Sequence, residues 1–182
     1  SPALAEIEVT GDAYVTVNSS YIWRGIDFSN NEPADASYVI QPGVDLSAGG
    51  FTVSWWANVN ANSGEMDEVD LVLDYSTELN ELVSLSVGNI LYDVDGAMDT
   101  NELYLGVSLA TILEPSLTVY YDYDEFSGDV FVTGSVGHSV DVAGLSLGLG
   151  ALVSFADNDT YSDLHNLELT AAPGARSVDV YD

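Results

Sequence analysis

The segment Leu145-Ser146-Leu147-Gly148-Leu149-Gly150-Ala151-Leu152-Val153-Ser154-Phe155 alternates apolar side chains with mostly small or polar ones. Residues 103–110 repeat this alternation, with leucine and valine at odd positions and Tyr, Gly, Ser and Ala at even positions. Successive side chains of a β-strand point to opposite faces, so a two-residue period predicts strands with one apolar face. The period recurs along the chain, and no segment carries the 3.6-residue apolar stripe of a helix. The sequence therefore predicts an all-β fold.

Turn-forming clusters divide the chain into ten predicted strands, at 12–22, 36–46, 50–60, 67–77, 81–92, 101–111, 115–124, 128–140, 144–155 and 162–172. Compact turns at 47–50, 77–80, 113–115 and 143–144 alternate with longer acidic connections at 27–36, 61–68, 93–99, 124–129 and 157–160. In an up-and-down meander the two kinds of connection fall at opposite ends of the strands. This arrangement predicts an antiparallel up-and-down β-barrel of about ten strands of the outer-membrane type. We expect a single domain over residues 1–182, with a C-terminal tail at 173–182.

The apolar face has two possible surroundings. In a soluble sandwich or lipocalin-like barrel it would be the core, and the other face would carry many charged side chains. Here the other face is mostly Ser, Gly, Thr, Asn and Tyr, and the charges concentrate at strand ends and in loops. Small polar side chains suit a narrow lumen, and an apolar outer face suits lipid. We therefore expect a bacterial outer-membrane protein whose main partner is the lipid bilayer.

Aromatic residues near the strand ends are typical of the interfacial girdles of such proteins. They are Tyr38, Phe51, Tyr75, Tyr121, Tyr123, Phe155 and Tyr161. The alternative hypothesis is a secreted or cell-surface β-protein that assembles into a lattice or filament. In that protein the same apolar face would make the contacts between copies, and acidic loops would bind Ca²⁺.

The charge balance excludes one class of partner. The chain carries 30 Asp and Glu against two Arg, with no Lys, and its formal net charge is −28. Binding to a phosphate backbone depends on Lys and Arg, so no nucleic-acid partner is expected. An apolar fraction of 47% is too high for a disordered acidic tail. The chain has no cysteine, so disulfides and thiolate metal sites are excluded as well.

Three segments carry a family resemblance. They are Ser19-Ser20-Tyr21-Ile22-Trp23-Arg24-Gly25-Ile26, then Gln41-Pro42-Gly43-Val44-Asp45-Leu46, then Gly50-Phe51-Thr52-Val53-Ser54-Trp55-Trp56-Ala57-Asn58-Val59. Together they resemble the Gcw_chp family of bacterial proteins of unknown function. The resemblance is strongest over residues 12–60 and looser further on, as at Glu102-Leu103-Tyr104-Leu105-Gly106. It implies an outer-membrane β-barrel and no particular reaction.

Arg24 is a candidate site residue because it stands almost alone as a cation beside an acidic loop. A guanidinium makes bidentate hydrogen bonds with carboxylates, so Arg24 is expected to hold Asp27, Glu32 or Asp35 over the barrel mouth. This role is structural. The functional alternative is an anion-selecting constriction, which the surrounding negative charge disfavours.

The acidic loops also suggest a cation site, because Ca²⁺ binds several oxygen ligands from flexible loops. Asp93, Asp95 and Asp99 form one candidate set, with Gly96 allowing the chain to turn back over an ion. Asp157 and Asp159, on either side of Asn158, form the second. The alternative for both sets is solvated charge. Ca²⁺ is thus the one cofactor considered, and neither loop matches an EF-hand.

Catalysis has little support in the sequence. His138 and His165 are isolated, and no Ser or Cys nucleophile is placed beside either of them by the pattern. Carboxylate pairs are so numerous that they do not indicate glycosidase chemistry. We therefore expect a non-enzymatic protein with no catalytic residues, and a homo-oligomer is an open possibility.

Overall fold

The computed structural model describes residues 8–29, 38–61, 63–142, 145–157, 167–169 and 178–180. In these residues the regular structure consists of strands: β1 (Val9–Asn18), β2 (Ile22–Trp23), β3 (Ile26–Asp27), β4 (Val39–Ala48), β5 (Phe51–Asn60), β6 (Met66–Glu78), β7 (Val83–Val94), β8 (Thr100–Leu109), β9 (Ser116–Asp122), β10 (Val130–Val142), β11 (Leu145–Asp157), β12 (Leu167–Leu169) and β13 (Val178–Val180). The all-β prediction is confirmed.

Nine of these strands form one antiparallel sheet in the order β1-β4-β5-β6-β7-β8-β9-β10-β11. Long strands adjacent in sequence are adjacent in the sheet, as a meander requires, and the first nine predicted strands are all present. Closure into a barrel would require a pairing between the two ends of this order, and none is found among the described residues. The nine-stranded sheet is thus shown, and the closed barrel stays a prediction.

The tenth predicted strand differs from the structure where the structure describes it. Residues Leu167–Leu169 pair antiparallel with Val178–Val180 in a separate two-stranded ribbon, with Leu167 opposite Val180. The predicted strand at 162–172 therefore does not join the large sheet through these three residues. The segment 173–182, expected to be a simple tail, supplies the other strand of the ribbon.

The first predicted strand also ends earlier than expected. β1 stops at Asn18, and the chain then forms a tight hairpin from β2 and β3, with Trp23 opposite Ile26. The two turn residues both have positive φ, 50° at Arg24 and 82° at Gly25. A two-residue turn of this kind is type I′, whose twist matches that of the strands it joins. Arg24 thus occupies a position that usually takes Asn, Asp or Gly.

The connections follow the predicted alternation only in part. Gly49 and Gly50 make a two-residue turn with φ of 58° and 88°, and the connections at 61–65 and 95–99 are longer. The predicted compact turn Leu113-Glu114-Pro115 is in fact a longer connection over 110–115, because β8 already ends at Leu109. Glu114 has a φ of 41°, and its amide donates to Thr111 at 3.0 Å.

The chain divides into two compact units, which we describe separately. Unit 1 comprises residues 1–75 and 88–101, and unit 2 comprises residues 76–87 and 102–182. Unit 1 therefore contains β1 to β5, most of β6, the second half of β7 and the first two residues of β8. Unit 2 contains the last three residues of β6, the first part of β7, the rest of β8 and β9 to β13.

In both units the usual distribution of side chains is inverted. The buried apolar residues are Tyr21, Val39, Ala57 and Tyr92, whereas the buried polar residues are Ser29, Gln41, Asn58, Glu68, Thr100, Glu102 and Asp122, counted over the described residues. Large apolar side chains alternate with them and are exposed, as with Leu105 at 59% and Leu149 at 63%. Each unit therefore has an exposed apolar face and a more buried polar face.

No helix in the described part of the chain is long and apolar enough to cross a membrane.

Candidate functional site

A chain of side-chain amides crosses the polar face of unit 1. Asn18 of β1 donates to the Oε1 of Gln41 at 2.7 Å, and Gln41 of β4 donates to the Oδ1 of Asn58 at 3.0 Å. Asn58 of β5 then donates to the carboxylate of Asp67 at 2.6 Å. Gln41 and Asn58 each accept through the amide oxygen and donate through the amide nitrogen, so the hydrogen bonds all run in one direction and end on a carboxylate. Asn58 is only 1% exposed, and its hydrogen bonds replace those that water would make.

A β-bulge brings Asp67 into this chain. Asn58 pairs with Glu68, but its neighbour Val59 pairs with Met66, so Asp67 is the extra residue of β6. A bulge places two residues of one strand opposite one residue of its partner and disturbs the strict alternation of faces. Asp67 and Glu68 can therefore both lie beside Asn58. The backbone carbonyl of Asp67 also accepts from the amide of Asp95 at 2.9 Å, which ties the 95–99 connection to β6.

The next pair of residues along the polar face is Tyr14 and Gly43, which are opposite each other in β1 and β4. A Cβ placed on Gly43 would overlap the Cζ, Oη and Cε2 atoms of the Tyr14 ring. The ring therefore lies directly over the glycine, which is the reason that β4 has no side chain at this position. Gly43 also pairs with Trp56 on its other side.

The hairpin segment, defined here as residues 21–29, is closed by its own hydrogen bonds. The amide of Phe28 donates to the carbonyl of Tyr21 at 2.7 Å, and the amide of Tyr21 donates to the Oγ of Ser29 at 2.5 Å. The carboxylate of Asp27 accepts from both the amide and the hydroxyl of Ser29, at 2.9 and 2.5 Å. Ser29 is buried, and these hydrogen bonds give its amide and its hydroxyl partners within the segment. The segment thus has a defined conformation.

Aromatic rings hold the hairpin segment against the sheet of unit 1. Tyr21 packs on Trp56 of β5 with ring centroids 5.5 Å apart, and Trp23 packs edge-on against Tyr92 of β7 at 5.7 Å. Phe28 lies between the two, 5.8 Å from Tyr21 and 6.1 Å from Trp23. Such contacts stabilise a structure by about 0.5–1.5 kcal/mol each beyond the area they bury. We call these five residues the aromatic cluster.

Tyr21 joins the aromatic cluster to the acidic side chains. Its hydroxyl donates a hydrogen bond to the carboxylate of Glu68, and the carboxyl group of Asp70 lies close to that of Glu68. Burial raises the pKa of the Tyr21 phenol well above its ordinary value, and the nearby carboxylates of Glu68 and Asp70 raise it further. Tyr21 therefore remains a neutral hydrogen-bond donor at any physiological pH.

Arg24 lies over the ring of its neighbour Trp23, with the guanidinium carbon 4.3 Å from the ring centroid. This is cation–π geometry, worth about 0.5–1 kcal/mol at an exposed site. No pattern in the sequence indicated this contact. Three carboxylate partners were predicted for Arg24. Of these, Asp27 accepts hydrogen bonds from Ser29, and Glu32 and Asp35 lie outside the described residues. The predicted pairing of Arg24 with the acidic loop stays a prediction.

The predicted cation ligands are exposed where the structure describes them. Asp93 is the second-to-last residue of β7, and Asp95 and Asp99 belong to the connection that follows. In this connection Gly96 has a φ of 78°, and the amide of Ala97 donates to the carbonyl of Val94 at 3.0 Å. Gly96 thus makes the turn expected of it. No three His, Cys, Asp or Glu among the described residues are grouped so that they could hold a metal ion.

The second predicted cation loop is described only in part. Asp157 is the last residue of β11 and is exposed, and Asp159 lies outside the described residues. Ca²⁺ binding stays a prediction for both loops.

The polar face of unit 2 carries aromatic rings, hydroxyls and acids. Tyr104, Tyr120 and Phe131 form a row across β8, β9 and β10, with ring centroids 5.7 and 6.2 Å apart. Toward the start of β9, the hydroxyls of Ser116 and Ser135 are hydrogen-bonded at 2.6 Å. At the other end of β9, the buried residues Glu102 and Asp122 are directly opposite each other.

Asp122 has a local structural role. Its carboxylate accepts from the amides of Asp124 at 2.9 Å and Phe126 at 3.2 Å, and so fixes the turn that follows β9. His138 lies in β10 opposite Leu149, on the apolar face, and His165 lies outside the described residues.

These observations can be set beside known proteins. The family model described as a bacterial protein of unknown function, Gcw_chp, matches residues 3–162. The chain belongs to the Gcw_chp family. No curated protein and no solved structure matches it. The description of the family assigns neither an activity nor a location, so membership in Gcw_chp does not by itself place the protein in a membrane.

The segments that carry the Gcw_chp resemblance meet in unit 1. Tyr21 and Trp23 come from the first segment, Gln41 from the second, and Trp56 and Asn58 from the third. The amide chain contains Gln41 and Asn58, and the aromatic cluster contains Tyr21, Trp23 and Trp56. The sequence motif is therefore the signature of one three-dimensional arrangement. Glu68 and Tyr92 complete it and were missed, because a single acid or tyrosine in a strand gives no signal of its own.

Proposed function

We propose that this Gcw_chp protein is a non-enzymatic β-barrel of about ten strands in the bacterial outer membrane, with a narrow polar lumen and acidic external loops that bind cations. In this proposal the nine-stranded sheet belongs to the barrel wall, the apolar faces contact lipid and the polar faces line the lumen. The lipid bilayer is then the main partner.

The observation that carries the proposal is the inverted burial. Fully burying a Leu or Val side chain is worth about 1.5–3 kcal/mol, so a water-soluble fold places such residues in its core. Here Leu103, Leu105, Leu147 and Leu149 are about half or more exposed, whereas Glu68, Glu102 and Asp122 are at least nine-tenths buried. A hydrocarbon solvent favours the exposed leucines, and a narrow polar lumen suits the acids.

The length of the strands also supports the proposal of a membrane-spanning barrel. A tilted β-strand needs about 9–11 residues to cross the hydrocarbon core of a bilayer. Eight of the nine strands of the sheet have 10 or more residues in unbroken strand conformation, among them β4, β5 and β8 with 10 each, β7 with 12 and β10 with 13. Strands of ordinary globular proteins are usually about 5–6 residues long. The length is thus that of membrane-spanning strands.

Exposed aromatics near strand ends also fit a membrane boundary. Phe51 and Tyr75 face each other at the ends of β5 and β6, with ring centroids 4.7 Å apart and both side chains exposed. Tyr38, Tyr121, Tyr123 and Phe155 are exposed as well, and Tyr161 lies outside the described residues. Aromatic rings at such positions form girdles at the two interfaces of outer-membrane barrels.

A flotation experiment with lipid vesicles tests the proposal. The refolded chain should float with phosphatidylcholine vesicles and should aggregate in buffer without detergent. Leu105→Arg should reduce insertion, because an arginine on the lipid face costs about 2–4 kcal/mol at the bilayer midplane. Leu82→Arg, in the connection between β6 and β7, is the matched control and should insert normally.

A chain that stays monodisperse in buffer without detergent, and does not float with vesicles, would refute the membrane location. Large ordered assemblies in buffer would instead support the alternative of a self-assembling secreted or cell-surface protein. In that case Leu105→Arg should disrupt the assembly.

Cation binding by the acidic loops has its own test. If Ca²⁺ binds at Asp93, Asp95 and Asp99, millimolar CaCl₂ should raise the thermal midpoint beyond the effect of NaCl at equal ionic strength. Asp95→Asn with Asp99→Asn should then remove part of this excess. Equal effects of the two salts would show that the loops carry only a diffuse ion atmosphere.

A further inference from the structure

We propose that the hairpin segment 21–29 is a built-in constriction of the lumen, fixed to the wall by the aromatic cluster and by the hydrogen bond from Tyr21 to Glu68. The inference rests on the proposed function, since the polar face borders a lumen only if the sheet forms a barrel.

The segment lies over the polar face of unit 1 and does not continue its wall. β1 ends at Asn18, and the described part of the segment pairs only with itself, as β2 with β3. Its contacts reach Trp56 and Tyr92, both on strands of the sheet. Trp56 pairs with Gly43 and Asp70, and it shares the polar face with Asn58 two residues further along β5. The hairpin therefore covers the polar face from β5 to β7.

The segment is built to stay in one conformation. The type I′ turn, the hydrogen bond from Phe28 to Tyr21 and the buried Ser29 close it into a unit. A free loop of similar length would expose its amides to water and change shape easily. Here the rings of Tyr21 and Tyr92, at 9% and 7% exposure, are almost completely covered. These contacts hold the hairpin in one conformation against the sheet of unit 1.

The aromatic cluster is filled by its own side chains. Its rings contact one another at centroid distances of 5.5–6.1 Å, so a stacked ligand has no space between them. The arrangement therefore fits an obstruction better than a binding site. Glu68 and Asp70 lie beneath it, so the remaining passage carries negative charge and favours small cations over anions.

Single-channel conductance in planar bilayers bathed in KCl tests the inference. The variant Tyr21→Ala/Trp23→Ala removes the ring contacts with Trp56 and Tyr92 and the hydrogen bond to Glu68, and it should raise the conductance severalfold over that of the wild type. Phe51→Ala/Tyr75→Ala is the matched control, because it removes an aromatic pair of unit 1 from the exposed, apolar side. The control should leave the conductance unchanged.

A variant whose contact can be restored by cross-linking distinguishes the loss of that contact from misfolding. The chain has no cysteine, so Trp23→Cys/Tyr92→Cys introduces the only two thiols. The reduced variant should conduct more than the wild type, and a short thiol-specific cross-linker should return it to the low level in the same molecules. Vesicle flotation is measured on each sample.

The outcomes separate the two proposals. A chain that inserts into vesicles, but conducts equally in the wild type, the double alanine variant and the reduced cysteine variant, would overturn the constriction alone. A wild-type chain that does not insert would overturn the proposed function and this inference with it.

Discussion

The two polar faces of the molecule differ in how they satisfy their buried groups, although the two apolar faces are alike. Unit 1 uses long side chains: three amides and Asp67 in one hydrogen-bonded chain, and Glu68 beneath Tyr21. Unit 2 uses smaller, separate groups: Ser116 and Ser135 are hydrogen-bonded through their hydroxyls, and Asp122 accepts from the amides of Asp124 and Phe126 in the following turn. Polar networks with buried members are costly when one member is lost, whereas isolated hydroxyl pairs are not. The comparison therefore predicts that unit 1 is far less tolerant of substitution.

Asn58→Leu should have the largest effect on this comparison. The substitution leaves the amide of Gln41 without its acceptor and the carboxylate of Asp67 without its donor, in a site where residue 58 is 1% exposed. Because each unsatisfied buried group costs about 1–3 kcal/mol, we expect a loss of about 3 kcal/mol in the free energy of unfolding. Urea titration of the protein in lipid vesicles measures it.

The counterpart in unit 2 is Thr118→Val, which removes a partly exposed hydroxyl from the polar face. Its effect should be below about 1 kcal/mol. Equal losses in the two variants would contradict the difference between the polar faces.

Glycine positions give a second, smaller contrast. A Cβ on Gly43 would meet three atoms of the Tyr14 ring, and a Cβ on Gly106 would meet the hydroxyl of Ser86. To make room for a Cβ on Gly43, the Tyr14 ring has to move as a whole, whereas the Ser86 hydroxyl can rotate away from Gly106 about one bond. Gly43→Ala should therefore cost about 1–3 kcal/mol of unfolding free energy, and Gly106→Ala clearly less. A larger loss at Gly106 would show that Tyr14 does not depend on the glycine beneath it.

A pH experiment gives the smallest effect and concerns Tyr21 alone. Its pKa is raised in the folded protein, first by burial and then by Glu68, so folding favours the neutral phenol. That contribution to stability is complete below the ordinary tyrosine pKa of about 10 and is lost as the pH rises above it toward the folded value. The unfolding free energy of the wild type should therefore fall more steeply above pH 10 than that of Tyr21→Phe.

Trp56→Phe serves as the control for the pH experiment, since it alters the packing on Tyr21 without removing a titrating group. It should keep the slope of the wild type. Parallel curves for the wild type and Tyr21→Phe would mean that Tyr21 is not buried against Glu68.

Strand positions were predictable because alternation is a local property of the sequence. The nine predicted strands of the sheet agree with the structure within a few residues at each end, as at 144–155 against Leu145–Asp157. The hairpin was missed because its turn residues are Arg24 and Gly25, whereas a type I′ turn is usually indicated by Asn-Gly or Asp-Gly. The strand prediction therefore ran past Asn18.

The polar network could not be predicted, because its members are joined by register and not by sequence distance. Asn18 and Gln41 are 23 residues apart, and the bulge that brings in Asp67 has no signature in the residues around it. A one-residue shift in pairing would move each of these side chains to the other face.

The most direct test of the central claim, that the apolar face contacts lipid, is an accessibility scan of β8. Cysteines placed singly at residues 103 to 109 of this cysteine-free chain would carry a nitroxide spin label, in protein reconstituted into vesicles. Collisions with oxygen, which concentrates in lipid, should peak at residues 103, 105, 107 and 109. Collisions with a water-soluble nickel chelate should be favoured at residues 104, 106 and 108. A scan in which the chelate reaches residues 103 and 105 as readily as residues 104 and 106 would contradict the account.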